Sequence, residues 1–189
     1  MILPVLPYGN PILKTRALDV DDNYPKLKDL LKNMWETMYS ANGVGLAAPQ
    51  IGLSIRIFII DTSPFSKDEE LSEKESRELS SFKKVFINPK IIEQNGKDWD
   101  FNEGCLSIPD IREDVSRKES IRISFLDENL ISRELVLKGI RARVVQHEHD
   151  HLEGILFTDH LSSFKKRILK KKLNNISKGK IKTDYLMKF

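Results

Sequence analysis

Apolar and polar positions divide the 189-residue chain into segments of different period. Between Tyr24 and Ala41, Leu27, Leu30, Leu31, Met34, Trp35 and Met38 recur at helical spacing. This predicts an amphipathic helix whose Met and aromatic stripe faces a core. Asn42-Gly43 suits a left-handed cap and ends it. A small, glycine-rich stretch from Gly43 to Gly52 follows, then an apolar run that reads as a strand at Ile55–Asp61. Further strands are expected at Lys84–Glu93, Ser120–Asp127 and Ser132–Leu137. The turn-forming cluster Asp127-Glu128-Asn129 joins the last two as a hairpin. Gly139 precedes a helix from about Ile140 to Leu152, stopped near Gly154, and a second helix is predicted over Leu161–Leu173 with its basic residues outward. The elements lack the βαβ rhythm of a parallel sheet. The expected fold is therefore α+β, with antiparallel strands packed around the central helix at 140–152 and a C-terminal helix beyond it.

Composition changes this picture only in places. A hydrophobic content of 40% and a charged content of 31% are ordinary for a globular protein, and the length suits one domain over residues 1–189. Residues 63–82 hold six acidic and three basic residues with few apolar ones, which predicts a solvated surface excursion with one helical turn. The run around Ile55–Ile60 is too short to cross a bilayer, and Met1-Ile2-Leu3-Pro4-Val5 lacks the features of a secretory signal. A single cysteine makes no internal disulfide, so the reducing cytoplasm is the expected location. The net charge of +3 is unevenly spread. Residues 161–189 carry ten Lys/Arg and one Asp, net +9, which leaves −6 for residues 1–160. The basic character belongs to the tail and gives little support to a nucleic-acid-binding protein as a whole.

Candidate chemistry concentrates on the 140–152 helix, in Gln146-His147-Glu148-His149-Asp150-His151. Helix positions four apart lie about 40° from each other around the axis, so His147 and His151 present two imidazoles to one metal ion. Glu148 is then placed to reach a water at that metal without ligating it. Surface histidines on a helix would give the same short pattern, and His149 and Asp150 read as capping, packing or surface groups. A catalytic site takes three protein ligands and leaves one position open. Downstream candidates for the third are Glu153, Asp159 and His160, none at metzincin spacing. Upstream stands Cys105, in Glu103-Gly104-Cys105-Leu106-Ser107-Ile108-Pro109, read as a polar-flanked loop. A thiolate is a strong, charge-neutralising ligand, and the setting of Cys105 favours ligation over a buried structural thiol.

Gly43-Val44-Gly45-Leu46-Ala47-Ala48-Pro49-Gln50, Glu103-Gly104-Cys105-Leu106-Ser107 and Gln146-His147-Glu148-His149-Asp150-His151 together resemble, in order, the three motifs of the peptide deformylase family. The likeness runs from the Pro4–Pro11 opening through Leu161, with the 63–82 excursion and the basic end varying within it or lying outside it. It implies a hydrolase that removes the N-terminal formyl group from formylmethionyl peptides. It further implies that Cys105, His147 and His151 bind the metal and that Glu148 is general base and later acid. By the same resemblance the Gln50 side chain and the Leu106 N–H receive the developing oxyanion, while Val44 and Gly45 line the substrate cleft. The family often uses Fe²⁺, although Zn²⁺, Ni²⁺ or Co²⁺ can occupy the site, and two nitrogens with one sulfur suit several of these.

Other positions carry weaker signals. Glu103, at the edge of the substrate site, is expected to pair with Arg117 or Arg143. Arg112 stands where the family touches substrate, or else is a surface charge. Val144, three residues before His147, would line the pocket for the methionine side chain or simply pack in the core. The basic run from Lys165 to Lys172 invites docking on the RNA-rich ribosome, against the plainer reading of a solvated helix face. Two competing functions remain. A His-Glu-x-x-His metallopeptidase would cleave internal bonds and ignore a formyl group. A structural metal module would need a fourth ligand and no Glu148.

Overall fold

The computed structural model describes residues 1–21 and 23–189. Its first long element is helix α1 (Leu27–Ser40), shorter than the sequence pattern suggests because Lys26 adopts a left-handed conformation and starts it late. At its end Asn42, rather than Gly43, takes the positive φ. Strand β1 (Gly45–Ala47) leads through a 3₁₀ turn over Ala48–Ile51 to strand β2 (Ile57–Asp61). Helix α2 (Glu73–Ser80) follows, then strands β3 (Lys83–Cys105), β4 (Ile108–Leu126) and β5 (Ser132–Lys138). The chain finishes with helices α3 (Gly139–Leu152) and α4 (Ser163–Ser177) and a tail that folds back toward the N-terminus. The five described strands form one antiparallel sheet in the order β1-β2-β3-β4-β5, which makes the fold α+β.

Strand periodicity distributes the core. Successive side chains point to opposite faces of a strand. In β2, which is buried along its whole length, Ile57 and Ile59 therefore face Leu31, Met34 and Met38 of α1. Phe58 and Ile60 face Ala142, Val144 and Val145 of α3. The two helices thus cover opposite sides of the same strand. A third cluster joins Ile108, Ile111 and Val115 of β4 to Leu169, Leu173 and Ile176 of α4. No described helix is long and apolar enough to cross a membrane.

Strands β3 and β4 run about twelve residues beyond the expected Lys84–Glu93 and Ser120–Asp127, because their pairing with each other and not local periodicity defines the added length. Two further expectations need correction. Cys105 is not in a loop: it is the last residue of β3, and Leu106-Ser107 form the tight turn into β4, closed by the pairing of Cys105 with Ile108. Residues 63–82 also hold more than one helical turn. A 3₁₀ segment over Ser63–Lys67 precedes α2, whose first turn is closed by a capping box between Ser72 and Glu75. This excursion buries Leu79 and Phe82 and brings Phe65 against Phe101.

Candidate active site

Helix α3 carries His147, Glu148 and His151 into the interior, where all three are buried. Cys105 approaches from the end of β3, with its Sγ 3.3 Å from His151 Nε2. One ligand atom from each of Cys105, His147 and His151 lies within 4.8 Å of the others. Among the described residues this is the single such group, and Glu153, Asp159 and His160 are outside it. Those three are engaged elsewhere: Glu153 with Arg56, Asp159 with Lys14, and His160 with Asp150 at 2.8 Å.

A hydrogen-bond network sets the orientation of His147. Its Nδ1 lies 2.9 Å from Glu103 Oε2, leaving Nε2 as the free ring nitrogen. Arg117 grips the Glu103 carboxylate through Nε (2.7 Å) and Nη2 (3.0 Å), and Arg143 Nη1 adds a third contact at 3.0 Å. Both arginines named as alternative partners are therefore used. Arg117 also donates to Asp150 Oδ2 at 2.6 Å, which links α3 to β3 and β4. Burial alone would raise the Glu103 carboxyl, but the bonds from His147 and Arg117 hold it well below the usual carboxylate range.

The oxygen and sulfur groups facing the imidazoles favour a cation. Packing around Cys105 would raise its thiol, yet the charges of His151 and His147 and their hydrogen bonds bring it down to about 5. A thiol in that range is ready to be a thiolate ligand. His147 is likewise drawn well above its ordinary value: burial opposes this, and the contacts with Cys105 and Glu103 outweigh it. Two imidazoles and a thiolate converging in this way fit a divalent first-row metal with an open position. Glu148 is different. Burial pushes its carboxyl up to about 7 against the pull of His147 and His151, and its Oε2 has no hydrogen-bond partner among the described residues.

Gln50 is held from the opposite wall. Its Oε1 accepts the Ala47 N–H at 2.8 Å, which fixes the amide so that Nε2 points into the site. That nitrogen lies 3.5 Å from Cys105 Sγ and 3.4 Å from Ser107 Oγ. Gly45 of β1 passes so close to Glu148 that a Cβ there would overlap the carboxylate. The groups open onto a cleft of about 490 Å³ lined by Val44, Gly45, Gln50, Leu106, Val144, His147 and Glu148. Glu103 and Arg112 reach the same cleft, with Arg112 anchored to Asn102 through Nε at 2.9 Å. Phe65, Phe101 and Tyr185 also line it, and sequence reading singled out none of them. Phe65 sits in the polar excursion and Tyr185 in the basic tail, where no periodic pattern marks an inward-facing residue. A larger groove, about 1030 Å³ between α1 and the sheet, contains none of the metal-ligating set.

A sequence model of the polypeptide deformylase family matches residues 2–167. A peptide deformylase of Christiangramia forsetii is 59% identical over 189 residues, covering 100% of this chain and 96% of that protein. One from Flavobacterium johnsoniae is 54% identical with the same coverage. Among solved structures, the peptide deformylase of Thermus thermophilus superposes with a TM-score of 0.81 at 40% identity, covering 95% of this chain and 99% of that one. That of Legionella pneumophila gives a TM-score of 0.79 at 34% identity, covering 95% and 98%. The metallopeptidase alternative finds no support among these matches. The chain belongs to the polypeptide deformylase family and is an enzyme, a deformylase hydrolase.

Proposed function

We propose that this enzyme removes the formyl group from the N-terminal formylmethionine of newly made polypeptides, releasing formate. Cys105, His147 and His151 would hold one divalent metal, Fe²⁺ by family likeness, with Zn²⁺, Ni²⁺ or Co²⁺ as substitutes. When bound, such an ion supplies Lewis acidity and makes water a competent nucleophile near neutral pH.

Glu148 takes the proton of the attacking water on its unpartnered Oε2 and then delivers it to the departing amine nitrogen. Its burial, which raises the carboxyl, and its oxygen free of partners among the described residues both suit a group that accepts a proton and returns it. The Gln50 amide, which donates without titrating, and the Leu106 N–H receive the oxyanion. Removing such a donor typically costs about 2.7–4 kcal/mol of barrier. Gly45 offers backbone hydrogen bonds to the peptide, Val44 walls the cleft, and Val144 borders the methionine side chain. Arg112 stands at the cleft for the peptide backbone. Glu103, whose carboxylate is committed to His147 and two arginines, orients the ligand rather than touching substrate. The reaction is placed in the cytoplasm, where formylated chains are made, with residues 1–189 acting as one catalytic domain.

The observation that carries this reading is the buried Glu148 beside three converging ligand atoms, with the Gln50 amide aimed at the same point. The test is formate release from formyl-Met-Ala-Ser under anaerobic conditions, with metal analysis. Glu148→Ala should retain metal and lose turnover, whereas Cys105→Ala should lose metal. Full activity in Glu148→Ala would overturn the mechanism.

A further inference from the structure

The turn that carries Leu106 is held by the far end of the chain. Tyr185, in the tail beyond α4, donates its phenolic hydrogen to the Leu106 carbonyl at 2.6 Å. The tail itself is pinned to the N-terminal segment. Val5 N–H donates to the Leu186 carbonyl at 2.9 Å, and Lys188 N–H donates to the Val5 carbonyl at 3.0 Å. The next carbonyl of the turn, that of Ser107, accepts the Tyr8 N–H at 2.7 Å. Residues 168–189 lie beyond the segment matched by the family model, yet Tyr185 lines the cleft.

Turn geometry says what such a bond does. Leu106 and Ser107 are the central residues of a four-residue turn, and neither takes a positive φ. The Leu106 carbonyl belongs to the central peptide, the group whose flip interconverts type I and type II turns, and the flipped form needs φ > 0 at Ser107. A hydrogen bond to that carbonyl opposes the flip. The flip would turn the Leu106 carbonyl and the Ser107 N–H; the Leu106 N–H lies on the other side of the same Cα, and tying that residue's carbonyl to the tail limits its displacement next to Cys105. Burial also keeps the Tyr185 phenol protonated, so the donor persists.

We infer that Tyr185 is a positioning residue for deformylation, a tail-supplied clamp that fixes the Cys105–Ile108 turn and so aims the Leu106 N–H at the oxyanion. This rests on the role given to Leu106 above. Among the described residues the phenolic oxygen's hydrogen bond is to the protein's own backbone, so the clamp acts on the transition state rather than on substrate affinity.

Tyr185→Phe removes one oxygen and keeps the ring. Full-length, metal-loaded Tyr185→Phe should show about a tenfold lower kcat with KM within twofold, since sub-ångström to ångström misplacement carries costs of this order. Metal stoichiometry should match the parent enzyme. Hydrogen exchange should quicken in the peptide spanning residues 104–109 and stay unchanged elsewhere. A kcat per metal-loaded molecule within twofold of the parent, or unchanged exchange at 104–109, would overturn the clamp. So would a loss of activity accompanied by general loosening and metal release, which would mark a merely structural tyrosine. Gln50→Ala in the same assay separates the two levels of inference. If Gln50→Ala falls while Tyr185→Phe does not, the clamp alone fails. Full activity in Gln50→Ala would mean that the oxyanion reading itself is wrong.

Discussion

Glycine at position 45 is explained by its neighbour. A side chain there would overlap the Glu148 carboxylate, and Gly45 has no positive φ, so the requirement is for space rather than for backbone freedom. Gly45→Ala should therefore fold, since β1 accepts alanine, but it must displace the carboxylate from its buried position. The expected outcome is roughly a 100-fold loss of kcat with metal content retained, because small misplacements of a catalytic group have effects of that size. Formate release and metal analysis on the same preparation would check it, and a parent-like kcat would show that Glu148 tolerates the shift. The Gln50 amide illustrates the same scale of control. One bond from the Ala47 N–H decides which end of the amide faces the thiolate, and Ala47 itself is fully buried.

Three elements meet at Glu103: β3 contributes the carboxylate, β4 contributes Arg117, and α3 contributes Arg143 and His147. Removing the carboxylate leaves two buried guanidinium groups short of a partner, a loss of about 3–5 kcal/mol for a buried pair. Glu103→Gln should also weaken metal affinity by about 10- to 100-fold, as expected when a ligand loses the group that orients it. The pH dependence has a definite sign. The carboxyl of Glu103 is held below its ordinary value of 4.5, so its stabilisation is complete above that value and fades as the pH falls toward the folded-state value. In urea titrations of metal-free protein, the advantage of the parent over Glu103→Gln should be largest at neutral pH and shrink below about pH 4.5. A constant gap would contradict the ionised network. Much at this scale was legible in the sequence. Helix α3 begins one residue before its expected start and ends where expected, because Gly139 and Gly154 bracket it. The outer part of β3 was missed because residues 94–98 are exposed on both faces and show no alternation. Pairing with β4 defines that stretch, and a partner strand leaves no mark on local periodicity. Tyr185 was hidden for a similar reason, since its contact with Leu106 spans 79 residues.

Charge is segregated over the whole molecule, with +9 in residues 161–189 against −6 in the rest. Helix α4 turns Leu169, Leu173 and Ile176 inward and leaves Lys170, Lys171 and Lys172 exposed, beside the exposed Phe164 and Ile168. An outward cationic face on an otherwise acidic body concentrates attraction for a polyanion at one end, and the phosphate backbone of RNA supplies such a partner. We propose, against the plainer reading of a solvated helix face, that contact there keeps the enzyme near the source of its substrate. Changing Lys170, Lys171 and Lys172 to Glu reverses six units of charge without touching the cleft, whose lining includes no residue of α4. Ribosome affinity, measured by co-sedimentation, should fall at least about tenfold, and the parent's binding should weaken steeply between 50 and 200 mM salt, as counterion release requires. Formate release from a free formyl tripeptide should stay at the parent rate, because that substrate needs no docking. Unchanged sedimentation of the triple variant would reduce the basic face to the solvated side of an amphipathic helix, and the charge asymmetry would then carry no functional weight.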